Sequence, residues 1–307
     1  MLPVIDTHQH LWDLDRFHLS WLQRAPMLRR SFLPDDYRAA IAPAAQSGLA
    51  PGAAAGAAIV QSVFVEADVD APEWLAEAEH VLALAASGEG APIAGIVAAV
   101  RPEAGDYRRH LDRLAALGPA IKGVRRVLHT EPGGLGETPR FTENVRALAD
   151  YGFSFDLCLR PSELGTALHL ADACPNVAFI LDHCGNPLIA AGPKSPETEA
   201  WRRRIHQIAQ LGNVCCKISG IVNQAAPGRA TAENLRPYVE HCIACFGWNR
   251  VLFGSDWPVC TTAASLADWL AALRHIVAGE DAENQRQLFS ATAARVYRLP
   301  PLPAHPS

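Results

Sequence analysis

Eight short apolar runs, each followed by a stretch of helical periodicity, constrain this chain more than any other feature. The runs begin near Val4, Ala58, Ile93, Ile121, Phe153, Ala178, Val214 and Val251. Their brevity and unbroken apolarity fit strands buried on both faces. Amphipathic stretches predict helices over residues 72–86, 106–117, 142–151, 162–173, 197–211 and 232–246, with two more over 266–277 and 282–297 closing the chain. Eight strands alternating with helices in 307 residues is the rhythm of an α/β (β/α)8 TIM barrel. An open doubly wound sheet alternates in the same way, but it usually carries a Gly-rich phosphate turn after its first strand. Here that turn reads Asp6-Thr7-His8-Gln9-His10, the wrong chemistry for a pyrophosphate. One barrel is expected over residues 1–298, with a loose Pro-rich tail over 299–307.

Charge and composition narrow the partners. A net charge of -5 offers no basic surface for nucleic acid or an anionic membrane. The local clusters Arg108-Arg109, Arg125-Arg126 and Arg202-Arg203-Arg204 read first as solvated helix faces or loop anchors. Asp6 and His8 stand where a secretory signal would be apolar, so a cytoplasmic protein is expected. Residues 48–65, the blandest stretch that could span a membrane, are interrupted by Pro51, several glycines and Gln61, and read as an Ala/Gly-rich loop entering a strand. The eight cysteines, all between Cys158 and Cys260, are expected to be reduced and mostly buried. Cys242-x-x-Cys245 has no second pair to close a tetrahedral zinc site, so it reads as core packing on one helical face. Beside the chemical motifs, Cys184 and Cys260 also read as packing. A small-molecule substrate is the expected partner, and the oligomeric state is not legible.

On a barrel of this kind the carboxyl ends of the strands and the loops after them carry function. Those ends read, in order, His8 and His10, Glu66 and Asp68, Arg101, Lys122 and Arg125, Arg160, Asp182 and His183, Lys217, and Asp256. His8 and His10, two apart on a strand, point the same way and can converge on one atom or ion. Three histidines and an aspartate, His8, His10, His183 and Asp256, suit one divalent metal, zinc foremost, with an open position for water. They work equally with no metal, Asp256 taking a proton from water while the histidines position it. Lys122, Arg125 and Arg160 are then available to polarise a carbonyl. The loops 11–32, 185–196 and 221–230 are candidate substrate walls.

Five blocks extend this reading: Val4-Ile5-Asp6-Thr7-His8-Gln9-His10-Leu11-Trp12-Asp13, Ile121-Lys122-Gly123-Val124-Arg125, Leu181-Asp182-His183-Cys184-Gly185-Asn186-Pro187, Asn213-Val214-Cys215-Cys216-Lys217-Ile218-Ser219-Gly220 and Phe253-Gly254-Ser255-Asp256-Trp257-Pro258-Val259. Their sequence and order resemble the amidohydrolase superfamily, and within it the fuconolactonase-like branch of sugar and dicarboxylate lactonases. The resemblance implies a barrel that hydrolyses a cyclic ester, with His8, His10, His183 and Asp256 around the reacting carbon. Two-metal members of the superfamily usually carry a carboxylated lysine or bridging carboxylate on the fourth strand and histidines on the fifth and sixth. Here the fourth strand offers Lys122-Gly123-Val124-Arg125 and the fifth ends in Leu159-Arg160-Pro161, so one metal or none is expected.

The expected substrate is an aldonolactone such as a fucono-, rhamnono- or galactonolactone. Asp256 would serve as the base, and Lys122 or Arg125 would hold the developing oxyanion. Glu66, Asp68, Arg160 and Asn223 are candidates for fixing hydroxyls, and Trp12, Trp21 and Trp257 for stacking on the apolar sugar face. The alternatives are a metal-dependent decarboxylase of the same superfamily and a non-catalytic barrel that binds a sugar acid.

Overall fold

A computed structural model describes residues 2–46, 58–88 and 91–302. Eight parallel strands, β1 (Pro3–Gln9), β2 (Ala58–Val65), β3 (Ile93–Ala99), β4 (Ile121–Val127), β5 (Ser154–Cys158), β6 (Phe179–Leu181), β7 (Val214–Ile218) and β8 (Val251–Phe253), pair in chain order. The barrel closes where Asp256 N donates to His8 O (2.8 Å) and His10 N donates to Trp257 O (2.8 Å). Asp6 reinforces that seam: its Oδ1 accepts from Ser255 N at 2.7 Å and its Oδ2 from Tyr37 Oη at 2.8 Å. The first and last motifs of the sequence are thus neighbours in space.

The outer layer holds α1 (Pro34–Gln46), α2 (Trp74–Ser87), α3 (Tyr107–Ala116), α4 (Pro139–Arg146), α5 (Leu148–Tyr151), α6 (Leu164–Ala173), α7 (Pro196–Ala209), α8 (Ala232–Phe246), α9 (Leu266–Ile276), α10 (Ala282–Arg286) and α11 (Thr292–Val296). Helix starts are capped as their sequences dictate. Ser195, Thr231, Ser265 and Asp281 each accept a backbone N–H three residues on, which satisfies an otherwise orphaned donor. Helix α1 was not drawn from the sequence. The two expected segments 142–151 and 282–297 are each divided, the second by a π-helical turn over Gln287–Ala291.

Two tryptophans on this layer fix the strand exits. Trp201 Nε1 donates to Cys184 O (2.8 Å) behind β6, and Trp269 Nε1 donates to Gly254 O (3.0 Å) behind β8. Inside the barrel Ile5, Val63, Val65, Val97, Ile180, Cys215 and Leu252 form a separate apolar cluster, closed from below by Ala293 and Tyr297. Among the described residues the barrel is therefore plugged at its amino end.

The segment from Leu299, expected to be loose, is held as far as Leu302. Gln61 Nε2 donates to Pro300 O at 3.1 Å, and Leu299 and Leu302 pack on the inner cluster. The remainder of that tail, and the whole of the Ala/Gly-rich stretch expected to be a loop at 48–56, lie outside the described residues. Among the described residues no helix is long and apolar enough to cross a membrane. All eight cysteines are free thiols, seven of them buried.

Candidate active site

At the carboxyl end of the barrel a cavity of about 380 Å³ is lined by His10, Arg125, His183 and Asp256 on its floor side. Trp12, Trp21, Asp68, His129, Arg160 and Asn223 also line it. His183 and Asp256 both have left-handed backbones, with φ of 56° and 61°. For residues with a side chain such a conformation costs energy and is retained where the surroundings impose it, commonly at working sites.

Hydrogen bonding sets the form of His10 and orients the His8 and His183 rings. His10 Nδ1 lies 2.8 Å from Val65 O; a carbonyl only accepts, so Nδ1 carries the hydrogen and Nε2 the lone pair. Arg125 Nη1 is 3.3 Å from His8 Nε2, while His8 Nδ1 stands between Asp182 Oδ1 at 3.3 Å and Lys217 Nζ at 3.2 Å. Both Nε2 atoms then face Asp256 Oδ1, from 3.6 Å for His8 and 3.5 Å for His10. His183 Nδ1 pairs with Ser219 Oγ at 2.9 Å. Burial, reinforced by Lys217 and His183 and only partly opposed by Asp182, holds His8 well below its ordinary range. Burial lowers His183 as well, with Arg125 and Lys217 acting in the same direction. Neutral imidazoles keep their lone pairs at neutral pH.

Beneath these groups lies a network of buried charge. Lys217 Nζ contacts Asp156 Oδ2 (2.7 Å), Asp182 Oδ1 (2.9 Å) and His8 Nδ1 (3.2 Å). Tyr297 Oη donates to the same Asp156 oxygen at 2.9 Å. Burial would raise Asp182, but Lys217 and His8 outweigh it and hold the carboxyl well below the usual range. Arg125 Nε donates to Glu66 Oε1 (2.6 Å) and its Nη2 donates to Glu66 O (2.7 Å), so the guanidinium is clamped in one orientation.

The site residues expected from sequence divide accordingly. His8, His10, His183, Asp256 and Arg125 come together, and Trp12, Arg160, Asp68, Trp21 and Asn223 reach the cavity. Arg160 is already engaged, donating to His129 O, Glu131 O and Glu163 Oε1.

Three expectations are corrected. Lys122 stands at the start of β4, at the opposite mouth, where its Nζ donates to Arg298 O at 3.1 Å. Glu66 is fully buried and grips Arg125. Trp257 is 3% exposed and packs edge-on against Phe32 and Tyr37 beneath the rim. Sequence reasoning left out His129, whose Nδ1 lies 3.2 Å from Cys158 Sγ in the cavity wall. It also omitted Gly220, whose hydrogen faces the His183 ring.

The donor set accommodates one divalent ion. His8 Nε2, His10 Nε2 and Asp256 Oδ1 form one group with all three atoms within 4.8 Å. The separations of 3.5 and 3.6 Å are too long for good hydrogen bonds. They approach the roughly 3.3 Å expected between tetrahedral ligands of zinc with bonds of about 2.0 Å. A second ion would meet the ammonium of Lys217, which already stands between Asp156 and Asp182.

The amidohydrolase family model matches residues 5–299. An uncharacterised protein, y4mH of Sinorhizobium fredii, is 28% identical over 97% of this chain and 99% of its own length. The L-fucono-1,5-lactonase of Burkholderia multivorans is 29% identical over 96% of each chain. Among solved structures, an amidohydrolase from Burkholderia multivorans with bound zinc superposes with a TM-score of 0.82 at 25% identity, covering 97% of this chain and 99% of that one.

Proposed function

The chain belongs to the amidohydrolase family, and on that premise we propose that it opens an aldonolactone to the aldonic acid, with Asp256 as the base toward the attacking water. The observation that carries the reading is the convergence of Asp256, His10 and His183 on one side of a cavity walled by Trp12 and Trp21. A carboxylate flanked by two imidazoles can accept a proton. The aromatic wall offers a surface for the apolar face of a sugar ring. Likeness to an L-fucono-1,5-lactonase along nearly the whole chain supports a sugar lactone as the substrate class.

In this mechanism water lies against the Asp256 carboxylate and attacks the ester carbonyl while its proton passes to that carboxylate. His183 Nε2, its ring fixed through Ser219, donates to or orients the carbonyl side. Arg125, held by Glu66 and facing His8 and Asp182, supplies a fixed positive potential under the developing oxyanion. Protonated Asp256 returns its proton to the ring oxygen as the carbon–oxygen bond breaks. His8, His10 and Asp256 would hold one divalent ion of the zinc class, which supplies Lewis-acid polarisation of the carbonyl and a more acidic water.

The test is proton release at near-neutral pH by the purified protein against a panel of 1,4- and 1,5-aldonolactones, before and after chelation and zinc replacement. Hydrolysis that falls on chelation and returns with zinc is expected. Absence of hydrolysis in every state overturns the reading, and zinc- or manganese-dependent carbon dioxide release from an aromatic acid would put the decarboxylase in its place.

A further inference from the structure

On the outer side of the strands that carry His183 and Lys217, three cysteines meet. Cys184 follows His183 at the exit of β6, Cys216 precedes Lys217 in β7, and Cys242 lies on α8. Side chains alternate along a strand, so a Lys217 that points into the barrel sends Cys216 outward to the helical layer. All three are completely buried, all are free thiols, and their Sγ atoms lie within 4.8 Å of one another. We propose that Cys184, Cys216 and Cys242 form a binding site for one copper(I) ion in the wall between β6, β7 and α8.

The geometry is close to what a trigonal thiolate site requires. Sulfurs about 2.3 Å from a central ion are separated by roughly 4 Å, which lies within the spread of this cluster. The ligand set selects the ion. Among the described residues no histidine, carboxylate or fourth cysteine joins the group. Cys184 Sγ donates to the carbonyl of Lys217 at 3.8 Å. Structural zinc takes four ligands, whereas three soft sulfurs without nitrogen or oxygen suit copper(I). As the ion enters, the three thiols release their protons to solvent, because the thiolate and not the thiol is the ligand. Cys245, the other half of the C-x-x-C motif, is only half-buried and pairs with His241 Nε2 at 3.5 Å, so it stands outside the site.

The proposal is independent of the lactonase reading and is tested on the full chain without an activity assay. The reduced protein is titrated anaerobically with copper(I) supplied from a chromophoric competing chelator, alongside His10→Ala, Cys245→Ser, Cys216→Ser and Cys242→Ser variants. One ion per chain should be taken up and kept in His10→Ala and Cys245→Ser, and lost in the other two. X-ray absorption of the complex should show sulfur neighbours alone. No uptake, uptake unchanged in Cys216→Ser, or uptake abolished by His10→Ala would overturn the assignment. If the serine variants fail to fold, alkylation of the wild-type thiols in moderate urea, where local opening exposes buried thiols, mapped by peptide mass, decides the question. Copper(I) should slow modification of Cys184, Cys216 and Cys242 and leave Cys245 unaffected, and equal rates with and without copper(I) would refute the site.

Discussion

Lys217 Nζ stands 2.9 Å from Asp182 Oδ1 in the floor of the active site, with both side chains fully buried. Asp182 in turn faces His8 at 3.3 Å and Arg125 at 3.5 Å, so one carboxylate links the barrel's buried ammonium to Arg125 and to His8, which faces Asp256. An ion pair so deep gains little net stability over an apolar replacement of both partners. Removal of one partner is costly, because the other charge is left buried and unpaired.

Lys217→Met should therefore strip the counter-charge from both Asp156 and Asp182 and lower stability by about 3–5 kcal/mol. Urea unfolding measures it. The double variant Lys217→Met/Asp156→Asn should recover part of the loss, since one of the stranded carboxylates is then gone. A single-variant loss within about 1 kcal/mol would mean that the network is not held by this charge.

Gly220 has φ of +60°, and a Cβ there would sit 2.3 Å from His183 Nδ1. Gly220→Ala must displace the imidazole or the loop, and a misplacement of about 1 Å can cost on the order of 100-fold in rate. A kcat lowered by that order, with a near-native circular dichroism spectrum, is the expected result. Wild-type kcat in Gly220→Ala would show that the orientation of His183 does not limit turnover.

Stability should fall as pH drops from about 7.5 to about 6. Burial, the largest effect on both His8 and His183, places each below its ordinary value. Below about 6.5 the unfolded chain therefore binds protons that the folded chain does not, which favours unfolding. Lower still the slope should soften, because Asp68 and Asp156, both pushed up to about 6 chiefly by burial, take up protons in the folded state. Thermal unfolding across this range should decline less steeply in His8→Gln than in the wild type. Identical slopes would remove His8 from the account.

The barrel itself was legible because buried parallel strands leave continuous apolar runs, and all eight begin within one residue of where those runs begin. His8, His10, His183 and Asp256 were legible for a related reason: each follows directly on such a run, where polarity returns at the working end. Lys122 misled because the block Ile121-Lys122-Gly123-Val124-Arg125 spans most of β4, so its lysine enters at one mouth of the barrel and its arginine leaves near the other. Asp182 and Lys217 were visible as strand-end charges, but their pairing depends on which strands lie side by side across the interior. Trp257 and Glu66 occupy the expected level of the barrel, yet packing turns one under Phe32 and the other onto Arg125.

Asp256→Asn tests the central claim most directly, since it keeps the size of the side chain and removes its basicity. Initial rates of proton release from the best aldonolactone should be compared for wild type and variant, both loaded with zinc and matched by circular dichroism. A fall in kcat of about 100- to 10,000-fold, with the melting temperature nearly unchanged, is predicted. Retention of most of the activity would remove Asp256 as the base and with it the proposed route of ester opening.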